Sequence, residues 1–158
     1  MKETDDIAFM RLALAQAGAA EALGEVPVGA VVVCEGEVIA AAHNRRETDA
    51  SPSAHAEFLA LSEAATQLGR WRLSNCTVYV TLEPCLMCAG LMLQARIARC
   101  VYGASDPKAG ALASLYAVHE DARLNHSFAV TAGVCADESA ELLSGFFARL
   151  RQGCDNVR

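Results

Sequence analysis

Aromatic residues make up only 6% of this 158-residue chain, with a single tryptophan. A hydrophobic fraction of 53% must therefore build its core mostly from Ala, Val and Leu. No uninterrupted apolar run approaches the ~18 residues that a membrane-spanning helix requires, which excludes a helical membrane protein. The opening residues, Met1-Lys2-Glu3-Thr4-Asp5-Asp6, are acidic and contain no signal-peptide apolar region, so a cytosolic protein is expected. Internal repeats and low-complexity tracts are missing too. Positive charge is the minority sign: 13 Lys and Arg against 19 Asp and Glu leave a net charge of −6, which argues against a non-specific nucleic-acid binder. A local basic surface is still available from Arg45/Arg46, Arg70/Arg72, Arg96/Arg99 and Arg149/Arg151, each pair reading equally well as ordinary solvated charge. The seven cysteines are an odd number without staple-like spacing, and in a reducing compartment they read as metal ligands or core thiols. A chain of this length suits one domain, 1–158, burying roughly 68–70% of its unfolded surface around one core.

The apolar pattern assigns the elements. Ile7, Met10, Leu14 and Ala17 recur at helical spacing from Asp5 to Leu23, with Asp5 or Asp6 as N-cap and Gly24 as terminator. Val28–Cys34 and Glu37–Ala42 are β-rich and meet around Glu35-Gly36, which predicts an antiparallel hairpin. Asn44–Ser53 is a polar loop, and Ser53 is the predicted N-cap of a helix from Ala54 to Leu68 whose buried stripe is Phe58, Leu61, Ala65 and Leu68. Thr77–Leu82 is a strand, Leu86–Arg96 a helix and Arg99–Gly103 a strand, which predicts a parallel βαβ unit. Loops follow at Ala104–Gly110 and Glu120–Asn125, then a short fifth strand at Phe128–Thr131. A final helix runs from Asp137, its predicted N-cap, and carries Leu142, Leu143, Phe146, Phe147 and Leu150. The expected fold is a three-layer α/β/α sandwich around a mixed five-stranded sheet.

The chemistry centres on Thr81–Gly90, Thr-Leu-Glu-Pro-Cys-Leu-Met-Cys-Ala-Gly. Cys85 and Cys88 fall on one face of a first helical turn, where unpaired N–H groups favour the thiolate that binds metal. Two sulfurs leave a tetrahedral zinc half-coordinated. His55-Ala56-Glu57, at the head of the preceding helix, offers an imidazole as third ligand and a carboxylate beside it. Three protein ligands with a position left for water is the catalytic arrangement, whereas structural sites close with four. The alternatives are a redox pair or two buried cysteines, and a structural zinc closed by Cys76 or Cys100. His43, His119 and His126 read as surface or hydrogen-bonded histidines, and Leu91, Met92 and Leu93 suit either a core or a subunit contact.

The combination of His-Ala-Glu with Pro-Cys-x-x-Cys is the known signature of zinc-dependent nucleobase deaminases. With Glu25-Val26-Pro27-Val28-Gly29-Ala30, Asn44-Arg45, Arg96-Ile97, Leu124-Asn125-His126 and Leu143-Ser144 around it, the sequence resembles the bacterial tRNA-specific adenosine deaminases, within the cytidine-deaminase-like superfamily, over nearly its whole length. That resemblance implies one Zn2+ per subunit on His55, Cys85 and Cys88, with Glu57 as the catalytic proton shuttle. It implies a homodimer acting on the anticodon stem-loop of an arginine tRNA, turning the wobble adenosine A34 into inosine. Asn44 matches a substrate-contacting position, an amide being suited to reading a nucleoside; the other reading is a strand-end turn cap. Asp106 lies in the family's pocket-entrance loop, where a carboxylate accepts a ribose 2′-OH and favours RNA over DNA; the other reading is an Asp-Pro turn residue. The competing functions are a zinc deaminase of free bases or nucleotides (cytosine, guanine or dCMP) and a non-catalytic zinc-stabilised binding module.

Overall fold

Alternation along the first β-rich run decides how the sheet divides its two faces. In the computed structural model, which describes residues 3–155, that run forms β1 (Gly29–Cys34), buried at every position. Val31 and Val33 pack on one face with Met10, Tyr79 and Val101. Ala30 and Val32 pack on the other with Ala56, Ala60, Leu61 and Met92. A strand covered on both sides has to sit inside the sheet and between two helical layers.

The sheet order is β2-β1-β3-β4-β5. The strand β1 pairs antiparallel with β2 (Glu37–His43) and with β3 (Cys76–Leu82). β3 runs parallel to β4 (Arg99–Ala104), and β4 to the short β5 (Ala129–Thr131), as the strand-helix-strand order requires. Helices α1 (Glu3–Ala22) and α4 (Ala136–Asp155) cover one face; α2 (Ala56–Leu68) and α3 (Leu86–Ala95) cover the other. The expected mixed five-stranded sandwich is therefore present. Among the described residues no helix is long and apolar enough to cross a membrane.

Close packing depends on small residues. A Cβ on Gly29 would lie 2.0 Å from the Ala13 carbonyl oxygen, so only glycine lets α1 approach β1 this closely. The same economy rotates α2 from its predicted orientation. Its buried positions are Ala56, Glu57, Ala60, Leu61 and Ala64, while Phe58, Ala65 and Leu68 are only partly covered. The alanines bring the helix close to the sheet and leave the larger Phe58 at the periphery.

Several end positions also differ from the sequence expectation. Helix α1 is already helical at Glu3, so Asp5 and Asp6 lie inside it rather than capping it. Asp6 instead accepts a 2.8 Å hydrogen bond from the Tyr79 hydroxyl and binds Arg99 through Nη1 and Nη2 at 2.9 and 2.7 Å. Arg99, which also donates to Thr131 Oγ1, is thus removed from the predicted basic surface. Asp137 lies in the first turn of α4 rather than at its cap. Ser53 does not cap α2 either: its hydroxyl pairs with that of Ser51, and the N-cap is His55. Phe146 is buried, but Phe147 is 43% exposed, so only one of the two belongs to the core.

Candidate active site

Each of the two motifs ends up at a helix N-terminus, and the two termini converge. His55 is the N-cap of α2, extended at φ −79° and ψ 149°, with no side-chain capping bond to hold its ring. Cys85 is the N-cap of α3, extended at φ −74° and ψ 172°, following Pro84. Extended backbone at both caps lets these side chains turn away from their own helices. Cys88, one turn further along α3, is fully buried.

His55 Nδ1 lies 3.7 Å from Cys85 Sγ and 3.7 Å from Cys88 Sγ. All three ligand atoms are within 4.8 Å of one another, and they are the one such cluster among the described residues. Tetrahedral bonds of about 2.3 Å to sulfur and 2.0–2.1 Å to nitrogen separate S from N by roughly 3.6 Å, so the donor set has the size of a zinc site. Cys76 and Cys100 do not join it. Cys76 lies opposite Cys34 in the sheet, where burial and that neighbouring thiol push it up to about 12. Cys100 is buried in the core, and burial raises its pKa as well. Among the described residues the closed, four-ligand reading therefore lacks its fourth ligand.

The electrostatics favour one thiolate even without an ion. Hydrogen bonds from Cys88 and His55 bring Cys85 down to about 4, while Cys88 is driven up by its bond to Cys85 and by burial. His55 is raised by its hydrogen bond to Cys85. Glu57 is 4% exposed, and burial raises its carboxyl to about 7, against the opposing pull of its own backbone N–H, His55 and Cys88. A carboxyl raised by burial beside a candidate metal site is suited to taking up and releasing a proton.

Above these residues opens a cleft of about 230 Å³, below the roughly 300–1,000 Å³ typical of drug-sized ligand sites. His55, Glu57 and Cys85 line it, as do Asn44, Arg46, Glu83 and Asp106. Asn44 is buried, with its Nδ2 donating to the Val26 carbonyl at 3.3 Å and its Oδ1 accepting the Arg46 N–H at 3.2 Å. It holds a strand end and faces the cleft at once. Asp106 Oδ1 accepts the N–H groups of Lys108 and Ala109, the turn geometry expected of Asp-Pro, on the cleft rim. Of the predicted basic pairs, Arg46 is the member that reaches the cleft, while Arg45 is held by Asp49. His43 and His126 lie within hydrogen-bond distance of the carbonyls of Asn44 and Ile97. His119 is buried against Phe128, with Nε2 3.5 Å from Glu120 Oε1 and Nδ1 without a hydrogen-bond partner among the described residues, and it stands outside the candidate donor cluster.

Two acidic residues had no role from sequence. Glu25 and Glu83 are both 2% exposed. Glu25 accepts the N–H groups of Glu47 and Thr48 and the Thr48 hydroxyl, securing the loop that carries Arg46. Glu83 secures the loop on the opposite wall. The one signal available was an acidic residue within an otherwise apolar stretch, Gly-Glu-Val-Pro-Val and Thr-Leu-Glu-Pro-Cys.

Residues 4–151 match the MafB19-like deaminase family. The chain is 48% identical over 149 residues to the tRNA-specific adenosine deaminase of Bacillus subtilis, covering 94% of this chain and 92% of that protein. A structure from biochemical and structural studies of A-to-I editing by tRNA:A34 deaminases superposes with TM-score 0.83 at 44% identity, covering 86% of this chain and 99% of the other. A guanine deaminase from Nitrosomonas europaea superposes with TM-score 0.74 at 26% identity, covering 90% of this chain and 84% of the other.

Proposed function

Because the chain belongs to the tRNA-specific adenosine deaminase family, we propose that it hydrolyses the wobble adenosine A34 of an arginine tRNA to inosine and ammonia. The observation that carries the reading is the His55, Cys85 and Cys88 cluster beside buried Glu57, with His55, Cys85 and Glu57 lining a cleft of about 230 Å³. His55, Cys85 and Cys88 would hold one zinc ion per subunit. Zinc bound there supplies acidification of water, lowering its pKa from ~15.7 to about 7.

The chain's own residues do the rest. Glu57 accepts the proton of the attacking water, delivers it to N1 of adenine as C6 becomes tetrahedral, and then assists departure of the 6-amino group as ammonia. Burial raises that carboxyl above the usual carboxylate range and screens the transfer from bulk water. Asn44 faces the base with an amide, and Asp106 offers its carboxylate to a ribose hydroxyl at the rim. Arg46 supplies a positive charge for a phosphate. An anticodon loop already presents unpaired bases, so no helix has to melt and a net charge of −6 does not preclude binding.

The reading extends to one deaminase domain over 1–158, a cytoplasmic setting with the tRNA pool, and a homodimer. Support for the dimer comes from Leu86, Met87, Leu115 and Tyr116, which are large, exposed and apolar. They lie on segments that the Cys85–Gly110 bridge joins. Light scattering is expected to give twice the chain mass.

The test is incubation with an arginine tRNA carrying an ACG anticodon, followed by sequencing for A-to-G at the wobble base. Deamination of free bases or nucleotides is the second reading, favoured by the similarity to a guanine deaminase, though at 26% identity against 44–48%. Turnover of a free base with the tRNA left unconverted would reverse the order.

A further inference from the structure

Glu83 lies between the end of β3 and Pro84-Cys85, nearly sealed from solvent. An ionised carboxylate is costly to bury unless its oxygens are well supplied with donors. Here five donors meet it. Oε1 accepts the N–H groups of Leu112, Ala113 and Ser114 at 3.2, 2.7 and 2.9 Å. Oε2 accepts the Asp106 N–H at 3.0 Å and the Ser114 hydroxyl. All five come from the loop between β4 and the short 3-10 turn Val118–Glu120.

The loop closes directly over this carboxylate. A Cβ on Gly110 would lie 2.3 Å from Glu83 Cδ, so glycine is required for the chain to pass, and Gly110 pairs with Cys85 in an isolated antiparallel bridge. The outer side of the same loop presents Asp106 and Ala109 to the cleft. Asp106 Oδ1 is committed to the turn, and among the described residues nothing donates to Oδ2. The free carboxylate oxygen at the rim therefore keeps its position through bonds that end on Glu83.

We infer that Glu83 is a positioning residue for the RNA substrate: by gathering the amides of residue 106 and residues 112–114 it fixes the Asp106–Ala109 rim beside Cys85. It sets how tightly the nucleotide is held and takes no part in metal binding or proton transfer. This rests on the tRNA reading above. Substrate binding that is equal in ground and transition states appears in KM, whereas loss of the shuttle or the metal appears in kcat.

The test measures kcat, KM and zinc content on an arginine-tRNA anticodon stem-loop. Glu83→Gln leaves one acceptor oxygen and turns an NH2 group toward donors. It is expected to raise KM about tenfold or more, with kcat within about threefold of wild type and one zinc retained per chain. Ser114→Ala removes a single donor and is expected to shift KM the same way by a smaller factor. Gly110→Ala keeps the carboxylate but pushes the loop off it, and should reproduce the KM effect. If Glu83→Gln fails to fold, the other two variants decide. An unmoved KM across the folded variants, a loss confined to kcat, or loss of zinc would overturn the inference while wild type remains active. A wild type that does not convert the stem-loop would instead sink the tRNA reading, and this inference with it.

Discussion

Replacing Glu57 by Gln keeps the volume and one acceptor of a fully packed side chain and removes only its capacity to exchange a proton. If Glu57 is the shuttle, kcat should fall by about 10²–10⁴, or roughly 3–5 kcal/mol in the barrier, with zinc content unchanged. The metal-stripped protein gives an independent reading. Burial moves the Glu57 carboxyl from 4.5 to about 7. The folded state thus binds this proton more tightly than the unfolded chain, so stability is fully present below about pH 4.5 and falls as the pH rises through about 7. The loss amounts to about 3 kcal/mol on the alkaline side. The neutral Gln variant escapes it. Above pH 7 the stripped variant should therefore melt about 6–12 °C higher than stripped wild type, while near pH 4.5 the two should coincide. The assays are inosine formation, metal analysis and thermal melts at the two pH values. A variant with near wild-type turnover would refute the shuttle role; one that loses zinc would show that Glu57 holds the metal after all.

His55→Ala removes the single nitrogen of the candidate donor cluster and should abolish stoichiometric zinc, measurable by metal analysis, together with activity. Asp6→Ala removes the carboxylate that pairs with half-buried Arg99 and accepts the Tyr79 hydroxyl, a loss of about 3–5 kcal/mol that calorimetry should record. Acid acts in the same direction. Burial alone would raise Asp6, but hydrogen bonds from Arg99 and Tyr79 outweigh it and hold it below the usual carboxylate range. Glu25 and Glu83 are likewise held down by their donors against burial. Their contribution is present above the unfolded carboxylate range and disappears as pH falls through the lowered folded values, so the melting temperature should drop steeply below about pH 4. Asp106→Asn should narrow the preference for an RNA stem-loop over the same loop with a deoxyadenosine; an unchanged ratio would remove the ribose contact.

The candidate donor cluster of His55, Cys85 and Cys88 was legible in the sequence because its logic is short-range. Cys85 and Cys88 are one turn apart, Pro84 stops the preceding strand, and His55 and Glu57 share one helix start. The sheet was legible for the same reason, since alternation and turn residues fix the hairpin and a helix between two strands forces the parallel pair. That the two helix starts meet, with three donor atoms within 4.8 Å, depends on the sheet that separates residues 55 and 85 in sequence and joins them in space. The same holds for the face α2 buries, where the close approach of its alanines overrides the placement of Phe58. It holds also for Asp6, which local pattern makes a cap and the fold pairs with Arg99 on β4. Glu83 shows the limit most clearly. A chain read one turn at a time has no means of seeing that four amides and a hydroxyl from residues 106–114 converge on one carboxylate, because a buried charge is specified by donors that only packing brings to it.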